Sequence, residues 1–426
     1  MKNICLYFQI HQPLRLKRYS FFDIGTDHYY YDDFQTEEII SRLVQNSYLP
    51  ANEAIGEMIK YSGKKFKCAF SISGVTLELF EQYAPELIDS FKELSKTGCV
   101  EFLTEPYSHS LASIFDPVEF EMQVKKHSDK IEEVFGKKPT AIRNAELIYS
   151  DEIGELVANM GYKTMLIEGA RHVLGYKSPN YVYRHSYKPE LKLLIRNYKL
   201  SDDIAFRFSN RSWSDFPLTA EKYIGWLAAM PAEEQLVNIW LGYEAFGEYQ
   251  RKESGIFEFL KALPYHAMEK NLTFVTPSEA VAKNKPVDIA KAIFPISWSS
   301  EEKDLNSWTG NNLQNEALEK LYQIGERVRM SSDRTLLRDW LNLQTTNHFR
   351  YMSHKDAWGS HYENAYDAFT NYTNILADFL QRVENQFPKT IDNEELNELL
   401  TTIHNQAEEI EGLKKEVKKL KGKKKE

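Results

Sequence analysis

The sequence predicts an α/β protein followed by a helical domain and a coiled-coil-like tail, and three patterns carry that expectation. From residue 2 to about 285, short runs rich in β-branched and aromatic residues alternate with helical segments, the signature of a parallel sheet or barrel. After Pro286 the alternation stops, and from about 310 to 387 apolar residues recur at intervals of three and four. From Asn393 the spacing turns heptad-like. The domains expected are therefore residues 1–285, 286–388 and 389–426.

In chain order the expected strands are Ile4–Ile10, Phe66–Ile72, Val100–Thr104, Ala141–Asn144, Thr164–Ile167, Leu191–Arg196, Leu236–Leu241 and Thr273–Val275. Amphipathic helices lie between several of them. Ala84 to Thr97 carries Leu87, Phe91 and Leu94 at helical spacing, with Gly98 as the stop. Asp116 is placed to cap a helix with Pro117 at its first position and Glu119 at its third, running to Phe135 before Gly136. Asp151 to Met160 reads as another, ended by Gly161.

In the second domain Asn315–Arg329, Ser332–Gln344 and Asn364–Phe387 read as helices. In the tail, Leu396, Ile403, Ile410 and Val417 occupy one core position of a heptad and Leu399, Gln406, Leu413 and Leu420 the other. Branched residues at the first and leucine at the second favour a parallel homodimer, with Gln406 setting the register; the competing reading is a solvated amphipathic tail. Lys421–Lys425 is a solvated end.

Composition narrows the function classes. A net charge of −9 argues against nucleic acid, which needs a surplus of Lys and Arg on the binding face. The apolar run in MKNICLYFQIHQP is too short and interrupted for a signal peptide, and no run approaches the length of a membrane span. Cys5, Cys68 and Cys99 lie in or beside apolar segments and read as buried thiols in a reducing cytoplasm. Aromatic residues make up 13% of the chain, which suits an aromatic core and also platforms for sugar rings.

In an α/β fold of this kind chemistry collects where the strands end. The first strand ends in His11-Gln12-Pro13, the third carries Glu101 and leads to Glu105 and His109, and the fourth ends in Asn144-Ala145-Glu146. A later strand end is followed by Asp202-Asp203, and VNIWLGYEAFGEY leads into Glu244 and Glu248. Carboxylates, an imidazole and aromatics, without a cysteine cluster or a Gly-rich phosphate loop, are what glycosidic bond chemistry requires: one carboxylate attacks or stabilises the anomeric carbon and another protonates the leaving oxygen. No cofactor or metal is expected.

FQIHQP, GCVEFL, RNAELIY, LSDDIAF and GYEAFGEYQ, in that order between residues 8 and 250, resemble the five short regions of glycoside hydrolase family 57, the α-amylase and 4-α-glucanotransferase group. SWTGNNLQNEALEKLY is similar to that family's helical domain, so the resemblance covers about residues 1 to 385. It implies an incomplete seven-stranded parallel (β/α) barrel and a retaining enzyme acting on α-glucans or maltooligosaccharides. It also implies Glu146 as nucleophile and Asp203, the second of the pair, as general acid.

Taken residue by residue, Glu146 could instead be a salt-bridge partner of Arg143 or Arg196, and Asp203 a cap or surface pair. In an extended segment, neighbours point to opposite sides, so Asp202 is expected to support rather than share the work. His11, Gln12, Glu101, His109 and Glu244 are candidate substrate contacts, Trp240 and Tyr243 candidate stacking platforms, and Glu105 and Glu248 solvated or pairing residues.

Two rival readings differ in class. A metal-dependent polysaccharide deacetylase would need closely spaced histidines as ligands; His109 has Ser113 four residues on, and His348 and His354 lie in the helical domain. A glucan-binding or scaffolding protein with an impaired barrel is motivated by the tail and by Ile204-Ala205, where many family members carry Gly or Thr followed by Glu.

Overall fold

The computed structural model describes residues 2–386, 401–407, 409–410 and 412–414. Among them are ten strands: β1 Asn3–Ile10, β2 Cys68–Ile72, β3 Val100–Phe102, β4 Ala141–Arg143, β5 Thr164–Ile167, β6 Val182–Arg184, β7 Lys192–Ile195, β8 Leu236–Gly242, β9 Thr273–Phe274 and β10 Asp288–Ile289. The sequence anticipates all but β6 and β10. Both are short.

The strands form two sheets. One runs β3-β2-β1-β8, with β9 paired to the start of β1, and the other runs β10-β6-β7-β5-β4. Every pairing is parallel except β6 with β7. Isolated parallel bridges from Thr104 to Ile142 and from Arg196 to Asn238 join one sheet to the other at both sides.

β1 shows why these runs are strands. Cys5 and Tyr7 pack with Ala69, Leu103, Leu166, Leu194 and Trp240 on one face, while Ile4, Leu6, Phe8 and Ile10 pack in the larger core on the other. A parallel strand covered on both faces needs such a continuous apolar run.

The expected helices are Pro85–Lys96, Pro117–Phe135 and Asp151–Asn159. Asp116 caps the second through the Glu119 amide, and Gly136 closes it at φ 75°. In the helical part, Arg334–Leu343 and Ala365–Gln386 match expectation. The helix expected over Asn315–Arg329 is instead two, Asn312–Tyr322 and Gly325–Met330. The break precedes Gly325, where a β-carbon would collide with the Asp116 carboxylate and crowd the Trp340 ring. That close approach lets Arg329 reach Asp116 at 2.6 Å and tie the helical part to the α/β part.

The Asp202-Asp203 pair is not extended. Asn197 caps a helix over Tyr198–Asp202, which passes directly into a wider π-type turn over Asp203–Arg207. A local cap therefore overrides the alternation expected after the strand. In the tail, Ile403, Gln406, Ile410 and Leu413 are exposed on a helix, whereas Leu396, Leu399, Val417, Leu420 and Lys421–Lys425 lie outside the described residues. Among the described residues no helix is long and apolar enough to cross a membrane.

Candidate active site

Glu146 stands just beyond β4. Asn144 organises the turn: its oxygen accepts from the Ala145 amide at 2.9 Å and its Nδ2 donates to the Ile148 carbonyl at 3.0 Å. Glu146 and Leu147 both adopt φ 54°, a left-handed conformation costly for residues with a β-carbon and held here by the surrounding bonds. The result turns the Glu146 carboxylate onto a cavity wall. Trp298 Nε1 donates to one oxygen at 2.6 Å, and Thr346 Oγ1 donates to the other at 2.9 Å. His109 Nε2 is 3.4 Å from the second oxygen. Burial alone would favour the neutral acid, but bonding to His109 outweighs it, with Arg350 and Trp298 adding, and the carboxyl lies far below the usual glutamate range.

Behind Glu146 is a buried charged support. His109 Nδ1 is 2.5 Å from Glu105, which also accepts from Ser71 at 2.7 Å and lies 3.3 Å from Arg143. Burial opposes the Glu105 charge, yet His109 and then Arg143 hold its pKa at about 2. Burial likewise opposes a charge on His109, and Glu105 outweighs it, raising the imidazole pKa. Arg143 also donates to Gln9 at 2.7 Å. His11 stacks on His109 at 4.2 Å and bonds Ser73 at 2.7 Å and Asn347 at 2.9 Å. Burial, then the neighbouring His109, pushes its pKa well below the usual histidine value, so His11 is neutral.

A second charged group lies across the sheet junction. Arg196 binds Glu168 at 3.0 Å and Asp202 at 2.5 Å, and its guanidinium lies 4.9 Å from the Trp240 ring. Asp202 is thus a structural partner of Arg196, while Asp203 pairs with Arg207. Burial raises the Asp203 pKa, and Arg207 opposes that shift without cancelling it.

A cavity of about 280 Å³ is lined by Glu146, His11, Gln12, Trp240, Glu244 and Arg196, among others. Glu244 is buried and accepts from Tyr48 at 2.5 Å and Gln12 at 3.1 Å. Burial raises its pKa, with those two bonds opposing. Asp202 and Asp203 are not among the lining residues, although Ala205 and Phe206 of the same turn are.

Two expected contacts are absorbed elsewhere. Glu101 accepts from the Ser278 amide and hydroxyl at 3.0 and 2.6 Å, at the start of the helix Pro277–Lys283. Tyr243 is fully buried, packs against Phe8 and Phe70 and donates to Asn52 at 2.7 Å, so it is core rather than platform. Glu105, expected to be solvated or pairing, is fully buried and paired. His109 lies behind the wall, one bond from the cavity rather than on it.

Sequence reasoning missed Trp298, Thr346, Asn347 and Arg350, which all come from the helical part. The bridges Tyr149–Ile296 and Ser110–Thr345 bring them over the strand ends. The one local signal was Trp298, an aromatic set in the polar run SWSS. Among the described residues no group of three or more His, Cys, Asp or Glu is placed to hold a metal ion.

Residues 5–294 match the family model described as glycosyl hydrolase family 57. A protein of Methanocaldococcus jannaschii called "Putative alpha-amylase" is 37% identical over 402 residues, covering 88% of this chain and 84% of its own. The fold is similar to that of a family 57 branching enzyme of Thermococcus kodakaraensis, crystallised with glucose, at TM-score 0.69 and 13% identity over 90% of each chain. It is also similar to a 4-α-glucanotransferase of Thermococcus litoralis, at TM-score 0.65 and 15% identity over 88% of this chain, which spans 59% of that enzyme's length.

Proposed function

The chain belongs to glycosyl hydrolase family 57, and from that premise we propose that it is a retaining glycoside hydrolase of α-glucans, with water or a second sugar as acceptor. The observation that carries this reading is the Glu146 carboxylate, held ionised on the wall of a cavity with a donor on each oxygen.

In this mechanism Glu146 attacks the anomeric carbon and forms a covalent glycosyl ester while Asp203 gives its proton to the departing oxygen. Asp203 then takes a proton from water or an acceptor hydroxyl, which attacks the same carbon and frees Glu146. The roles are supported by opposite shifts: Glu146 is kept charged, as a nucleophile must be, and Asp203 is biased towards its protonated form, as an acid must be. His11, Gln12, Trp240 and Glu244 are the proposed sugar contacts, and Asp202 steadies the acid's turn through Arg196.

The names of the relatives, an α-amylase, a branching enzyme and a 4-α-glucanotransferase, support α-linked glucose polymers and a capacity for transfer. The incomplete seven-stranded barrel is supported by the two parallel bridges between the sheets. The domain division at about 285 and a cytoplasmic setting remain part of the proposal, the latter supported by three buried free thiols. So does a homodimer through the tail.

The test is turnover of soluble starch and maltoheptaose by the wild type and by Glu146→Gln. Loss of activity in the variant is expected; equal turnover by both removes Glu146 from the mechanism. The pairing of Asp203 with Arg207, away from the cavity lining, favours one second reading, a glucan-binding protein with an impaired site. Binding without turnover by the wild type would establish that instead.

A further inference from the structure

The cavity changes character from floor to mouth. Near Glu146, Trp240 is buried and Trp298 half-buried. At the mouth, three rings of the same lining stand open to solvent: Phe206 is 52% exposed, Tyr249 38% and Trp358 51%. Rings that large, clustered at the rim of a cavity, are expected to be covered by a ligand.

Trp358 is fixed in place. Arg350 Nη2 donates to both Asp356 oxygens at 2.9 and 2.8 Å, two residues before Trp358, and the same guanidinium lies 5.6 Å from the Trp358 ring. It also lies 5.3 Å from the ring of Trp298, the residue that bonds Glu146. Tyr249 meets Trp358 at 5.0 Å with a 60° tilt, so the two partly exposed rings form a corner. Beside them Arg42 and Glu248 pair at 3.0 Å on the rim. A pyranose ring is apolar on its face and polar around its edge, so an aromatic corner bordered by ionic groups matches its chemistry better than that of a purely apolar ligand.

We infer that Trp358, with Tyr249 and Phe206, is a second sugar platform at the cavity mouth, holding a ring of the same glycan remote from the one at Glu146 and thereby setting chain-length preference. The inference rests on the reading of the protein as glycan-acting. Arg350 is a positioning residue for this platform, since its clasp on Asp356 fixes the loop that carries Trp358.

The experiment compares kcat/KM for maltoheptaose and maltotriose in the wild type, Trp358→Ala and Trp358→Phe. The ratio of the two substrates is expected to fall about three- to tenfold in the alanine variant, the scale of one lost stacking contact, and to be retained in phenylalanine. An unchanged ratio in Trp358→Ala, or an equal loss in both variants, overturns the platform. Binding to Glu146→Gln, with and without Trp358→Ala, separates the platform from the α-glucan reading, using maltooligosaccharides and cello-oligosaccharides of increasing length. Length-dependent binding of the β-linked series, lost with Trp358, keeps the platform and discards α-glucans; binding of neither series discards both.

Discussion

At the residue scale, the nucleophile candidate depends on groups far from it in sequence. Trp298, 152 positions away, gives Glu146 a 2.6 Å bond, and a hydrogen bond to a charged group contributes roughly 1.5–3 kcal/mol. Trp298→Phe keeps an aromatic ring and removes the N–H donor, so kcat/KM on maltoheptaose is expected to fall roughly 10- to 100-fold, that energy expressed as a rate. Asp203 yields a prediction about pH. Burial raises its pKa and Arg207 pulls the other way, so replacing Arg207 with methionine raises it further. A general acid works while protonated, and activity is lost as pH rises through its pKa. The alkaline limb of the kcat/KM profile is therefore expected to move to higher pH in Arg207→Met. A move to lower pH, or none, would take Asp203 out of the acid's role.

At the element scale, buried charges tie strands together near the site. Glu105 follows β3 and bonds Ser71 of β2, Arg143 of β4 and His109. Its pKa in the fold is about 2 against the ordinary 4.5, so it contributes stability above the ordinary value that is lost as pH falls through the folded one. Glu105→Gln is expected to flatten the decline of stability between about pH 4.5 and about 2, followed by urea unfolding at fixed temperature. Gly169 offers a packing test. It follows β5 where a β-carbon would strike the Arg196 carbonyl, so Gly169→Ala is expected to cost about 1–3 kcal/mol in the same assay, the usual range for overpacking. It would also displace Arg196, whose two carboxylate partners include Asp202. The strands themselves were legible because period and composition act locally. β6 and β10 were not, although they are no shorter than β4 and β9: β6 is defined by its antiparallel pairing with β7 and β10 by its pairing with β6, contacts that no local run records. The Asp202-Asp203 turn was misread for a related reason: the Asn197 cap, outside the quoted motif, decides its conformation.

At the scale of the whole molecule, the cavity is shared between the α/β part and the helical part. Trp298, Thr346, Asn347 and Arg350 all follow the expected boundary at 285, and three of them bond the candidate site residues directly. A chain ending at residue 285 is therefore expected to lack turnover of maltoheptaose even where circular dichroism reports a folded α/β part. Ending the chain at residue 389 removes only the tail and is expected to leave turnover intact while halving the mass in solution. An unchanged mass would dismiss the tail as the oligomerising element.

The alternating α/β order, the helical second part and the positions of His11, Gln12, Glu146 and Glu244 are legible along the chain, because each follows from local period or a short run at a strand end. Which of the candidates meet is set by long-range packing. It drew Glu101 to a helix start and Tyr243 into the core, split Asp202 from Asp203 between two arginines, and set a tryptophan and a threonine on Glu146. A buried carboxylate is paired by whatever donors the packing brings within reach, and no local pattern records which distant residues those are.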